Sequence, residues 1–306
     1  MRVFLAGATG VVGRRLVPLL VSEGHKVTAV GRTPEKRAAL ERVGAAPIAV
    51  DLFDRESVVR AIEGHDAVIN VATRIPSSSV RMLLPGAWKE NDRIRREASA
   101  NLAAEALQQD AGRFIQESFA PIYADGGERW IDESAPVRPV RYNRSVLDAE
   151  RAAEAVTAKG GTGVVLRFAG FYAADAVQVR DMIGLIRKGW APLPGAASAY
   201  YSSIHHDDAA TAVMAALGAR AGIYNVTDDE PLRRREYVDS LAAAIGAPPP
   251  KLPPAWLARL GGSVTELLSR SQRISNRKLR EETGWTPRYP SVREGWPAVL
   301  ALLRAA

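Results

Sequence analysis

Short apolar runs alternate with amphipathic stretches through the first half of the chain, the order expected of βαβ units whose parallel strands are covered on both faces. Residues 3–6, 27–30, 47–50 and 67–71 are short, nearly continuous apolar runs, which predicts four buried strands. Between them, residues 11–22, 35–43 and 55–62 carry apolar side chains at helical spacing, and a longer helix is expected over 92–108. Strands at 113–116 and 163–167, with a helix over 145–158 between them, continue the series. Pro18 lies inside the first helix, where it removes one backbone hydrogen bond. The pattern predicts an α/β fold built on a doubly wound parallel sheet.

After residue 170 the alternation weakens. Segments 191–199 and 246–254, rich in Pro, Gly and Ala, bracket a region of different organisation. The expected division is a nucleotide-binding domain over 1–170, to which 204–229 returns, and a smaller C-terminal substrate lobe made from 171–203 and 230–306.

Composition narrows the chemistry. The 306 residues contain no cysteine, which excludes disulfides and cysteine-ligated zinc, and four histidines make no convincing metal cluster, so no metal is expected. No apolar run approaches the roughly 18 residues of a membrane span, and the chain opens directly on an apolar strand, so a cytoplasmic protein without a membrane partner is expected. The formal charge of +7 raises the question of nucleic acid. However, Arg14-Arg15, Arg95-Arg96 and Arg233-Arg234-Arg235 are dispersed at helical spacing, as on solvated faces, and no nucleic-acid partner is expected. The oligomeric state stays open, a homodimer being one option.

The strongest chemical signal is Gly7-Ala8-Thr9-Gly10-Val11-Val12-Gly13, which follows the first strand and opens the first helix. A dinucleotide pyrophosphate needs a tight turn, a backbone it can approach closely, and a helix N-terminus whose free amides face the anion. In this strand–turn–helix context the turn reads as a Rossmann-type cofactor site. At the end of the second strand, an acidic residue would accept a hydrogen bond from a ribose 2′-hydroxyl, whereas arginine suits a 2′-phosphate. The chain has Arg32 there, with Lys36 and Arg37 nearby, so NADP(H) is expected in preference to NAD(H), the alternative being that Arg32 is a solvated turn residue. Asp51 and Leu52 follow the third strand, where Asp51 can touch the adenine edge or cap a helix.

These residues resemble the extended short-chain dehydrogenase/reductases, the NAD-dependent epimerase/dehydratase superfamily, over nearly the whole chain. The glycine turn is similar to that family's glycine motif, Asp51-Leu52 to its adenine-side pair, and Asn70-Val71-Ala72, continuing to Thr73, to the loop under its cofactor. Residues 166–172 resemble the family's strand leading into the substrate lobe. Ile204-His205-His206-Asp207-Asp208 resembles its structural His-x-x-Asp segment, Tyr224-Asn225-Val226 a late strand, and Gly284-Trp285-Thr286-Pro287 its Gly-Trp-x-Pro turn. The resemblance implies cofactor contacts from Gly7, Thr9, Gly10, Val11, Val12, Gly13, Arg32, Lys36, Asp51, Leu52, Val71, Ala72 and Thr73.

The family's catalysis uses a Ser or Thr, a Tyr, and a Lys four residues after that Tyr. When Ile122-Tyr123 is set against the family's Val-Tyr, Phe119 takes the hydroxyl position, with Ser118 one place earlier. The Tyr-x-x-x-Lys motif falls on Tyr142, with Val146 in place of lysine. On a continuous helix Val146 would share a face with Tyr142, leaving no local cation to stabilise a phenolate. Tyr142 and Ser118 are the candidate catalytic donors, against a packing role for Tyr142, with Glu117 and Tyr123 next in line. Tyr172, Trp190 and Tyr201 are candidates for an apolar substrate wall, the alternative being that they are plain core. His205 and His206 read as structural. The implied function is an NADP(H)-dependent oxidoreductase, or an epimerase/dehydratase-like enzyme, acting on a small carbonyl or hydroxyl compound with a degenerate Ser-Tyr-Lys site. The alternative is an NADP(H)-binding sensor without catalysis.

Overall fold

The structure, a computed structural model, describes residues 1–76, 79–82, 84, 86–108, 112–256 and 262–305, so that 257–261 and 306 of the expected lobe lie outside it. In chain order the strands are β1 (Arg2–Ala6), β2 (Lys26–Val30), β3 (Ala46–Ile48), β4 (Ala67–Asn70), β5 (Arg113–Phe119), β6 (Trp130–Ile131), β7 (Thr162–Phe168), β8 (Gly170–Tyr172), β9 (Tyr200–Tyr201), β10 (Ser203–His205), β11 (Gly222–Val226), β12 (Leu232–Arg233) and β13 (Arg273–Ile274). The helices are α1 (Gly13–Ser22), α2 (Pro34–Arg42), α3 (Arg55–Ile62), α4 (Ser79–Met82), α5 (Lys89–Arg93), α6 (Ser99–Gln108), α7 (Val146–Ala158), α8 (Val177–Ile186), α9 (His206–Ala215), α10 (Arg234–Ala244), α11 (Gly262–Ser269), α12 (Arg277–Thr283) and α13 (Val292–Ala305).

Seven strands pair in parallel in the order β11-β7-β5-β4-β1-β2-β3. The direction of winding reverses between β1 and β4, and this switch point opens the crevice in which such sheets bind ligands. On one face α1 and α9 pack together, burying Leu16, Val17, Leu20, Ala209 and Val213 against Val3, Leu5 and Ile115. On the other, α3, α6 and α7 cover Phe4, Val68, Phe114 and Val165. Each of these large apolar side chains contributes about 1.5–3 kcal/mol by leaving water. A further cluster gathers Val179 and Ile186 of α8, Val238 and Leu241 of α10, and Trp296 and Val299 of α13 around Tyr172.

Most boundaries shift by a residue or more from the sequence expectation, β5 running on to Phe119, and three of the differences bear on the crevice. The third strand covers 46–48 instead of 47–50, and Ala49 and Val50, which follow it, line the crevice. The first helix begins at Gly13, the two valines before it belonging to the glycine turn, and it runs through Pro18. The long helix over 92–108 is three pieces: α5, one π-helical turn over Ile94–Ala98, and α6.

A buried polar network fixes the half of the sheet that carries β5, β7 and β11. The Glu150 carboxylate on α7 accepts hydrogen bonds from Ser118 Oγ at 2.5 Å, and from Arg167 Nε and Nη2 at 2.8 Å each. Arg167 also donates from Nη1 to the Tyr123 hydroxyl, which donates to Asn225 Oδ1, both at 2.8 Å. Burial pushes the Tyr123 phenol up to about 12, so it stays a neutral donor. Removing one partner of a buried ion pair leaves an uncompensated charge, whereas an apolar pair of similar volume is tolerated. Arg167→Met should therefore cost about 3–5 kcal/mol, and adding Glu150→Met should recover much of the loss. Urea denaturation of the wild type and the two variants measures both effects.

Candidate cofactor site

The crevice at the switch point is a cavity of about 570 Å³. The glycine turn forms its floor. Gly7 has φ 84°, and a Cβ there would stand 2.5 Å from the Ala72 amide nitrogen and from the Val71 carbonyl carbon, so the turn lies against the end of β4 with no room for a side chain. A Cβ on Gly13 would collide with the Gly7 carbonyl. The Gly10 amide closes the turn onto Gly7 O at 2.9 Å, and α1 starts immediately after it. The first turn of α1 carries no acidic residue, and its positive dipole end favours an anion at the glycine turn.

Of the residues assigned to the cofactor, Gly7, Thr9, Gly10, Val11, Val12, Arg32, Lys36, Asp51, Leu52, Val71, Ala72 and Thr73 line this one cavity, and Gly13 sits directly beneath the turn. Arg32 is more than half exposed and pairs with Glu90 at 3.8 Å, a surface pairing worth no more than about 1 kcal/mol and readily exchanged for a phosphate. Arg37 instead donates to Gly31 O at 3.2 Å, which fixes the backbone beside Arg32. The helix cap that Asp51 might have formed belongs to Asp54, whose side chain accepts from Glu56 N. Asp51 accepts from Phe53 N at 2.9 Å and remains on the cavity wall.

The other end of the cavity is lined by Ile75, Ile94, Glu117, Phe168 and Phe171, none of which the glycine motif could indicate. Side chains alternate along a strand, so Glu117 and Ser118 of β5 point to opposite faces. That parity gives Glu117 to the cavity and turns Ser118 into the buried network beneath α7. Tyr142 is not among the lining residues either. It lies in a 3₁₀ turn over Arg141–Asn143, its ring 4.9 Å from that of Trp88, and burial raises its phenol well above the ordinary range despite nearby Arg95 and Arg270. Tyr142 precedes the helix expected over 145–158, so it and Val146 do not share one continuous α-helix. α7 begins at Val146, which is fully buried, and a 3₁₀ turn has a different angular step from an α-helix.

The aromatic substrate wall expected from Tyr172, Trp190 and Tyr201 is also absent from this cavity. Tyr172 is fully buried between His205 and Trp296, and Tyr201 packs edge-on against Tyr237, because both side chains complete the cluster of α8, α10 and α13. Trp190 lies half exposed elsewhere.

His205 and His206 sit at the start of α9. His205 accepts the Asp207 amide at Nδ1, and His206 Nδ1 bonds to Asp175 Oδ1 at 2.9 Å. Asp208 accepts the amides of Arg288 and Tyr289, tying α9 to the segment after the Gly-Trp-x-Pro turn. Burial lowers His206 to about 3, with Arg15 and Arg14 adding to the effect. A histidine depressed in the fold stabilises it above the unfolded value near 6.5 and loses that contribution as pH falls toward about 3. The stability difference between wild type and His206→Gln should shrink as pH drops from 7 to 4. Urea midpoints across that range measure it, and a difference constant with pH would show that His206 is not held neutral.

Fold and cavity together define a Rossmann-type dinucleotide-binding protein. The model of the NAD(P)H-binding family matches residues 7–218. Over 96% of this chain and 99% of the other, the sequence is 33% identical to a 3-diazoavenalumate denitrifying reductase of a Streptomyces species. Among solved structures, the human epimerase family protein SDR39U1 with NADPH superposes with a TM-score of 0.79 at 21% identity, covering 98% of this chain and 99% of that one. MoeE5 in complex with UDP-glucuronic acid and NAD gives 0.78 at 24% identity, covering 100% and 99%. The chain belongs to the NAD(P)H-binding family, and its fold is that of the solved epimerase-family structures. Among the described residues no helix is long and apolar enough to cross a membrane.

Proposed function

We propose that the protein is an NADP(H)-dependent reductase of a small electrophile that works without the Tyr-Lys proton relay. The observation that carries this reading is the composition of the cavity: Arg32 and Lys36 at one end, and at the other an apolar wall with Glu117 but, among the described residues, neither a tyrosine nor a lysine. Arg32 and Lys36 hold the 2′-phosphate, the amides of the glycine turn hold the pyrophosphate, and Asp51 meets the adenine side. When bound, the cofactor supplies the hydride. Ile94, Phe168 and Phe171 exclude water from that end, and the turn's rigidity keeps the dinucleotide in place.

A carbonyl needs a proton as it accepts hydride, which is the task of the family's Tyr-Lys pair. An arenediazonium cation does not. Hydride added to its terminal nitrogen gives a neutral aryldiazene, Ar–N=N–H, which loses N₂ to leave Ar–H, with every atom accounted for and no proton supplied by the protein. The name of the Streptomyces relative, a denitrifying reductase of a diazo compound, supports this substrate class for a site that lacks the relay.

Pure protein with NADPH should consume an arenediazonium carboxylate faster than a matched aryl ketone, read as loss of nicotinamide absorbance above an enzyme-free control. Turnover of the ketone alone would overturn the proposed substrate class, and cofactor binding without any turnover would favour the sensor. On the cofactor side, NADPH should bind at least about tenfold more tightly than NADH, about 1.4 kcal/mol, and Arg32→Ala should remove most of that difference. Titration calorimetry measures it, and equal wild-type affinities would refute the role of Arg32.

A further inference from the structure

We propose that Glu117 faces the nicotinamide end of the cavity and favours the oxidised, positively charged ring over the reduced, neutral one. This rests on the reading that the cavity holds a nicotinamide dinucleotide, and it concerns a residue with no counterpart in the Ser-Tyr-Lys arrangement.

The sheet order places Glu117 at the correct end. From β2, whose end carries Arg32, to β5, which carries Glu117, the sheet takes three steps through β1 and β4, about 14 Å at the usual strand spacing. The glycine turn lies between them, after β1. A dinucleotide with its 2′-phosphate at Arg32 and its pyrophosphate on the turn has its remaining nucleoside directed toward β5.

Glu117 is built to present a charge there. The residue is 8% exposed, and its Oε1 accepts Arg95 Nη2 at 3.1 Å. Its Oε2 has no hydrogen-bond partner among the described residues. A carboxylate oxygen left unpaired in a buried position carries a desolvation cost, and such an atom calls for an explanation. Arg95 holds the carboxylate from behind and is itself 5% exposed, on the π-helical turn that also brings Ile94 to the cavity wall. Single π-turns inside α-helices recur at functional sites, where the extra residue redirects side chains. Ile94, Phe168 and Phe171 give the neighbourhood a low dielectric, so the Glu117 carboxylate acts on a nearby cation with little screening. The reduced nicotinamide offers that carboxylate no charge, and the oxidised ring offers a full positive one. Glu117 thereby increases the tendency of the bound cofactor to give up hydride, which suits a reductase that must drive reduction without acid catalysis.

The test reads binding alone. Titration calorimetry with NADP⁺ and with NADPH is carried out on wild type, Glu117→Gln, and the double variant Arg95→Met/Glu117→Met, which removes both buried charges and keeps the fold testable if the single variant is unstable. The ratio of the NADP⁺ to the NADPH dissociation constant should rise at least about fivefold in the variants, with NADPH affinity nearly unchanged. An unchanged ratio overturns the role of Glu117 while leaving the cofactor reading intact. Failure of the wild type to bind either nucleotide overturns both.

Discussion

The close approach of the glycine turn to the end of β4 is the constraint on which the site depends. Gly7 lies where any side chain would meet the backbone of Val71 and Ala72, and Gly13 where any side chain would meet Gly7. With both positions bare, β1 passes into α1 within a few residues and the helix N-terminus sits directly over the switch point of the sheet. Everything else in the cavity is arranged around that fixed point. Arg32 stands one strand to one side and Glu117 two strands to the other, and the residues after β4 pass beneath the turn between them.

A second constraint explains why the family's hydroxyl chemistry does not reach the cavity. Ser118 and Tyr123, the side chains nearest the expected catalytic register, are committed to the Glu150, Arg167 and Asn225 network. That network needs every donor it has, because a buried carboxylate and guanidinium are stable only when their hydrogen-bonding capacity is met. Freeing Ser118 for a substrate would weaken the pairing that holds α7 to β5. The half of the site that uses backbone amides and glycines is thus retained, while the half that needs mobile hydroxyls serves the fold.

The features legible in the sequence were those written in local pattern. Apolar runs and helical periodicity located the central strands and most of their helices, and the glycine turn in its strand–turn–helix context pointed to the crevice. What escaped the sequence depends on long-range geometry. Whether Ser118 or Glu117 faces the crevice follows from the parity of β5 once its pairing with β4 and β7 is fixed. Tyr142 does not share a helical face with Val146 because the chain winds as a 3₁₀ turn before α7, and Tyr172 and Tyr201 belong to a core whose members lie far apart in the sequence, Tyr172 packing against Trp296 of α13.

The central claim is that one dinucleotide spans the crevice from Arg32 to Glu117 across the glycine turn. A crystal structure of the NADPH complex tests it most directly. The 2′-phosphate should lie within hydrogen-bonding distance of Arg32 or Lys36, the pyrophosphate on the amides that open α1, and the nicotinamide ring beside Glu117. A nicotinamide ring turned away from β5, or a 2′-phosphate out of reach of both basic side chains, would contradict it.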